Sequence, residues 1–182
     1  GGGLPPYAYN VPRLKFDKTI FDLAIREGVT FFNHVAKIEQ VSNTDELKLS
    51  DETIAATNNY FKGQPDLIVD ATGRSRAVSR LLNIPTQEGE RKHVAIFAHL
   101  SNAEKIDPYN IHLHRLENGW AWRIPLPERT SVGVVINPRH LTKYGNSREE
   151  QYDNILKTDD TLLKFTKNAK RETGVVQYNN YQ

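Results

Sequence analysis

The sequence predicts a mixed α/β (α+β) chain built from two kinds of sheet. Three observations carry this. Leu67-Ile68-Val69 is a short unbroken apolar run that ends at Asp70 and a Thr72-Gly73 turn. That is the pattern of a strand buried on both faces, as in a parallel sheet covered by helices. From His93 to Ile136 the chain alternates apolar and polar residues around turns such as Glu117-Asn118-Gly119, which describes an antiparallel sheet. Between Arg13 and Glu27, and again beyond Ser147, apolar residues recur at helical spacing.

At 182 residues the chain is one domain or slightly more, with room for a real core. Its charged fraction of 25% is ordinary for a soluble globular protein. A net charge of +2, with lysines and arginines spread along the chain, argues against nucleic-acid and membrane partners. Cysteine is absent, which excludes disulfides, thiolate metal sites and thiol nucleophiles. No apolar run reaches membrane-spanning length and no signal peptide opens the chain. The expected compartment is the cytoplasm. With no methionine and a Gly1-Gly2-Gly3 start, the sequence reads as a trimmed piece whose first residues are a tag remnant.

Taken in order, Pro5-Pro6-Tyr7-Ala8-Tyr9 reads as extended and Pro12 opens a helix over 13–27. Phe16, Ile20, Phe21, Leu23, Ala24 and Ile25 form its apolar face, and Gly28 is its C-terminal cap. Strands are expected at 29–32, 34–41, 46–50 and 53–61, making an antiparallel meander before the 66–70 strand. A helix over 76–82 follows, stopped by Asn83-Ile84-Pro85. Strands at 93–100, 111–116, 120–126 and 131–136 make a four-stranded sheet. Helices at 147–156 and 161–169 and a strand at 173–178 complete the reading.

Few stretches carry chemistry. Strand, glycine turn and helix around Asp70, Gly73 and Arg74 is where open α/β sheets bind ligands; the same pattern also describes an ordinary buried strand and turn. Arg13 in a first helical turn works against the helix dipole, so it needs a partner, either a phosphate or solvent. His112 and His114 share a strand face without a third ligand, so no metal is assigned. No nucleophile elbow, phosphate-binding loop or zinc-protease motif occurs. Trp120 and Trp122 lie two apart on one strand and either bound a flat aromatic pocket or fill a sheet core.

Several stretches together resemble the flavin-dependent, tryptophan-type halogenase family, within the FAD monooxygenases related to p-hydroxybenzoate hydroxylase. Tyr9-Asn10-Val11-Pro12-Arg13-Leu14-Lys15-Phe16-Asp17 is similar to the family's V-x-R-x-x-F-D helix start. Asp66-Leu67-Ile68-Val69-Asp70-Ala71-Thr72-Gly73-Arg74-Ser75 is similar to its D-L-V-V-D-A-T-G-R-S segment. Gly119-Trp120-Ala121-Trp122-Arg123-Ile124-Pro125-Leu126 carries the W-x-W-x-I-P signature, followed by Ser131-Val132-Gly133. The first two motifs belong to the wider class, and the third is more specific to halogenases.

The resemblance implies a partial Rossmann-like FAD-binding domain over 4–85 with an inserted antiparallel meander. It also implies an antiparallel substrate-domain sheet over 86–140 and a helical segment with a return strand over 141–182. Arg13, Val35, Asp70, Gly73 and Arg74 would lie along FAD. Trp120, Trp122, Ile124 and Pro125 would border the substrate pocket. The reaction implied uses reduced flavin, oxygen and halide to halogenate an aromatic or electron-rich substrate, with a separate flavin reductase as partner. A hydroxylating monooxygenase or a reductase of the same class, and a non-catalytic truncated domain, are the alternatives. The family's G-x-G-x-x-G turn, catalytic lysine and G-D-A segment have no counterpart in these residues. The chain therefore reads as a central fragment that alone binds FAD weakly or not at all and is inactive, with no catalytic residue assigned. An unpaired sheet edge makes self-association a further expectation.

Overall fold

The computed structural model describes residues 9–58, 60–87, 89, 92–104 and 107–179. Gly1-Gly2-Gly3, the Pro5-Pro6-Tyr7-Ala8 stretch, Tyr181-Gln182 and parts of the 86–91 and 101–108 loops lie outside them. Two compact units are present, Gly1–Lys18 with Gly89–Asn180, and Thr19–Glu88 with Tyr181–Gln182.

Helix α1 (Arg13–Arg26) starts after Pro12 and ends before Gly28, whose φ of +97° is the left-handed conformation a glycine cap supplies. Its apolar face is not buried: no residue of α1 reaches burial, and Phe16, Ile20, Phe21 and Ile25 remain exposed. In the smaller unit, Phe21 meets Phe31 edge-on with ring centres 4.9 Å apart.

Strands β1 (Ile38–Gln40) and β2 (Leu47–Leu49) pair antiparallel around a turn in which Asn43 takes a φ of +60°. The expected meander stops there. Residues 29–32 form no strand, and the 34–41 strand shortens to β1. The expected 53–61 strand is instead helix α2 (Asp51–Ala56). Local chemistry explains the change. Ser50 Oγ accepts the Thr53 N–H as an N-cap, and Asp51 and Glu52 sit in the first turn, where they complement the dipole. The Gln64 side chain then closes β2, accepting from Leu49 N–H at 2.6 Å and donating to Leu49 C=O at 2.9 Å.

The 66–70 segment is a second correction. It runs without strand pairing, and Leu67 and Val69 are 77% and 76% exposed. A run apolar on both faces becomes a buried strand only when neighbouring strands take its backbone groups and other elements cover its faces. Neither occurs among the described residues of this unit. The turn that follows does form: a one-turn 3₁₀ helix at Gly73–Ser75 leads into α3 (Ala77–Leu81), ended by Asn83 at φ +52°.

The larger unit holds one antiparallel sheet of β3 (Val94–Ser101), β4 (His112–Leu116), β5 (Gly119–Pro125), β6 (Thr130–Ile136), β7 (Lys170–Arg171) and β8 (Val176–Asn179). The order is β4-β5-β6-β3-β7, with β8 also paired to β3. β3 to β6 are the four strands read from sequence, β8 is the expected 173–178 strand shortened and shifted to 176–179, and β7 adds a sixth. Alternation assigns each face. Val94, Ile96, Ala98 and Leu100 of β3, Ala121 of β5, and Val132, Val134 and Ile136 of β6 point to one side. Tyr152, Ile155 and Leu156 of α4 (Arg148–Thr158) and Leu162 of α5 (Asp160–Thr166) join the same core cluster. Tyr152 is fully buried and donates its hydroxyl to Val132 C=O at 3.0 Å, and burial pushes its phenol pKa up. Such a core satisfies the polar atom it encloses.

Candidate functional site: an open aromatic sheet face and a capped turn

The second face of the six-stranded sheet is aromatic and open. Register fixes its rows. Phe97 and Trp122 both stand opposite Gly133, one on each side. Their rings approach to 5.8 Å between centres. Trp120 packs beside Trp122 at 5.8 Å, and Tyr178 beside Phe97 at 5.8 Å. Between the rings β6 presents Ser131, Gly133 and Val135, with Ala95 opposite Val135, and the lowest point of this floor is Gly133 between Phe97 and Trp122. Ser131 is buried, and its Oγ accepts the indole N–H of Trp122 at 3.2 Å. A half-buried indole needs such a partner. Trp120 is 42% exposed, and Leu113 and Tyr178 on the same face are exposed as well. The arrangement is a flat apolar wall on which a planar ring can stack.

His99 closes one end of the wall. It follows Phe97 on the same face, with ring centres 6.4 Å apart, and stands opposite Ser131 in register. Its backbone is held on both sides: the N–H donates to Thr173 Oγ1 at 3.1 Å, and the C=O accepts from Glu172 N–H at 2.8 Å. Burial, with the nearby charge of Arg129 adding to it, lowers the imidazole pKa.

The W-x-W-x-I-P stretch thus divides between two faces. Trp120, Trp122 and Ile124 share the open one. Arg123 lies on the helix-covered side at 3% exposure, donating Nη1–H to Glu104 C=O at 2.7 Å with its guanidinium over the Phe165 ring at 5.0 Å. Burial weighs against its charge, and Asp107 and Glu104 offset that. Pro125, expected beside the tryptophans, also falls on the buried parity and lines a cleft of about 420 Å³ with Tyr9 and Tyr109. His114 pairs with Asp159 at 3.1 Å on edge strand β4.

Among the expected dinucleotide residues, Arg13 belongs to the larger unit, and Val35, Asp70, Gly73 and Arg74 to the smaller. Arg13 is held by Asp17 one helical turn on, through Nε–Oδ1 at 3.0 Å and Nη2–Oδ2 at 3.2 Å. The partner it needed is therefore a carboxylate of its own helix. Val35 is 80% exposed. Asp70 organises the turn: Oδ1 accepts from Thr72 Oγ1 at 2.6 Å and Thr72 N–H at 2.9 Å, and Oδ2 accepts Val78 N–H at 2.9 Å. Those donors hold its carboxyl below the usual range. Gly73 takes φ +60° beside open space. Arg76 starts α3 at φ +46°, with Nη1 buried and without a hydrogen-bond partner among the described residues.

Sequence reasoning also missed Phe97, His99, Ser131 and Tyr178. Each sits at an alternating position of a recognised strand, but only the register with β5 and β6 brings them to the tryptophans.

Comparison with known proteins gives a consistent result. The model of the tryptophan halogenase family matches residues 4–177. A flavin-dependent halogenase, ascD of Acremonium egyptiacum, is 30% identical over 196 aligned residues, covering 95% of this chain and 35% of its own length. The chain thus spans about a third of that relative. Among solved structures, a flavoprotein/dehydrogenase from Cytophaga hutchinsonii aligns with a TM-score of 0.75 at 22% identity, over 96% of this chain and 43% of its own. The flavin-dependent brominase Bmp2 aligns at 0.72 and 21% identity, over 96% and 45%. The halogenase PltM in complex with phloroglucinol and FAD aligns at 0.65 and 20% identity, over 91% and 36%. At these identities the structural likeness establishes the shared mixed α/β fold. None of the described helices is long and apolar enough to cross a membrane.

Proposed function

Since this chain belongs to the tryptophan halogenase family, we propose that it forms the substrate-side sheet and part of the FAD-binding portion of a flavin-dependent halogenase. The open aromatic face is the observation that carries this reading. Trp120, Trp122 and Ile124 border the substrate there, and Pro125 ends the same strand. Their apolar surface orients an electron-rich aromatic ring and excludes water from one side of it.

The turn side fits an anionic dinucleotide. Arg13 is exposed, and its ion pair with Asp17 is a solvent-screened one that an approaching phosphate can replace. An added Cβ on Gly73 would meet nothing within 4 Å, leaving its backbone approachable. Arg76 Nη1 is a buried donor without an acceptor among the described residues. Asp70, Gly73, Arg74 and the backbone near Val35 are the residues of the smaller unit that would hold FAD, with Arg76 added to them, and Arg13 of the larger unit is proposed as an FAD contact on the family resemblance alone. Bound and reduced, FAD would give two electrons to oxygen, bringing it to the peroxide level that can take two electrons from halide, and a separate flavin reductase would return the flavin to its reduced form. Asp70, occupied as a turn cap, shapes that site rather than transferring protons. Operation in the cytoplasm belongs to the same proposal.

The test uses a protein that carries this chain within the full length of its relatives. It is given FAD, a flavin reductase with NADH, bromide or chloride, and phloroglucinol. Halogenated product that disappears without halide supports the reading. Hydroxylated product independent of halide would replace it with a monooxygenase, and absence of either product would favour a non-catalytic role.

A further inference from the structure

We propose that His99 is the specificity-determining polar residue of the open aromatic face, hydrogen-bonding the ring hydroxyl of an arene stacked against Phe97 and Trp122. The inference rests on the halogenase reading and deepens it, from any electron-rich ring to hydroxyl-bearing ones.

Four observations converge. The row on one side of the two rings holds His99 and Ser131, and the row on the other side holds Tyr178 and Arg115 beside Ala95, Val135 and Trp120. Ser131 Oγ already accepts from Trp122, whereas the His99 ring makes no hydrogen bond to any described residue. The His99 backbone is pinned by Thr173 and Glu172, so the ring is presented at a fixed height above the wall. The imidazole lies 6.4 Å from the Phe97 centre, within reach of a substituent on a ring lying over Phe97 and Trp122. Burial lowers its pKa, and a neutral imidazole offers one donor and one acceptor nitrogen, the pair a hydroxyl uses. An arene without the hydroxyl would leave the half-buried imidazole unpaired, which is how a polar site rejects an apolar analogue.

Trp120 and Trp122 are the two tryptophans of the chain, so intrinsic indole fluorescence reads this wall directly. The 182-residue chain is titrated with resorcinol and, separately, with its dimethyl ether. Saturable quenching by resorcinol is expected, with the ether about tenfold weaker, the size of one net hydrogen bond. His99→Phe should bring the two probes within about twofold of each other, while His99→Gln, which keeps a donor and an acceptor, should preserve the preference. His99→Leu serves as a second apolar variant if His99→Phe melts early. No saturable quenching by either probe, or a preference unchanged in both apolar variants, overturns the assignment. The halogenated-product assay stays separate. Equal quenching by both probes in the parent chain, with product still formed, sinks the His99 role alone. Intact discrimination without product sinks the reaction reading and leaves the His99 role supported.

Discussion

Trp122 fills the space that a side chain at residue 133 would need. A Cβ built on Gly133 would stand 2.2 Å from Trp122 Cζ2, 2.4 Å from Cη2 and 2.6 Å from Phe97 Cβ. The glycine is thus the floor on which the two rings close, and the wall exists because β6 leaves that place empty.

Gly133→Ala should therefore displace the Trp122 ring and loosen its bond to Ser131. Overpacking of this kind destabilises by about 1–3 kcal/mol. Urea unfolding would show a lower midpoint, and the indole emission maximum would move toward that of an exposed tryptophan. An unchanged spectrum and midpoint would mean that the rings can step aside.

The two tryptophans should separate stability from recognition. Trp122 is half-buried and hydrogen-bonded, so Trp122→Ala should lower stability by about 3 kcal/mol or more. Trp120 is 42% exposed, so Trp120→Ala should change stability by less than about 1 kcal/mol yet weaken arene binding. Thermal melts paired with resorcinol titrations of both variants check this.

Arg123 is a structural member of the tryptophan motif. Arg123→Ala removes the bond to Glu104 C=O and the contact with Phe165, and should lower stability by about 2–4 kcal/mol. Arg123→Met refills the volume without the bond and should recover part of that loss. In both, the urea dependence of the unfolding free energy should keep its slope.

The start of α4 carries a pH dependence with a definite sign. Ser147 Oγ accepts Glu150 N–H at 3.2 Å, while Glu150 Oε2 accepts Asn146 N–H at 2.8 Å and Ser147 N–H at 3.2 Å. Those two backbone donors, Asn146 first, lower the Glu150 pKa from its ordinary 4.5. A carboxyl depressed on folding contributes stability above its ordinary value and loses it as pH falls through the lowered one. Melting temperature should thus fall more steeply below about pH 4.5 in the parent chain than in Glu150→Gln. Ser147→Ala should destabilise by about 1 kcal/mol at neutral pH.

Much of the fold was legible because its signals are local. The Glu117-Asn118-Gly119 turn, the alternation from Val94 to Ile136 and the helix starting near Ser147 each depend on residues close in sequence, and each appears where it was read. The 53–61 segment misled because β-branched Thr53, Ile54 and Thr57 suggested a strand, while Ser50, Asp51 and Glu52 supplied a stronger helix start.

By itself, the sequence determined the element order of the larger unit, the placing of both tryptophans on one face, and the family motifs. It could not determine what stands across from those tryptophans. Phe97, His99, Ser131 and Gly133 lie on strands that meet β5 only through the order β5-β6-β3, and a register slip of one residue would send each of them to the opposite face. Nor could it decide the fate of Leu67-Ile68-Val69, since an apolar run becomes a buried strand only when partners take its backbone groups. Strand alternation is written residue by residue. Pairing and burial are properties of what lies alongside, and tertiary structure decided them here.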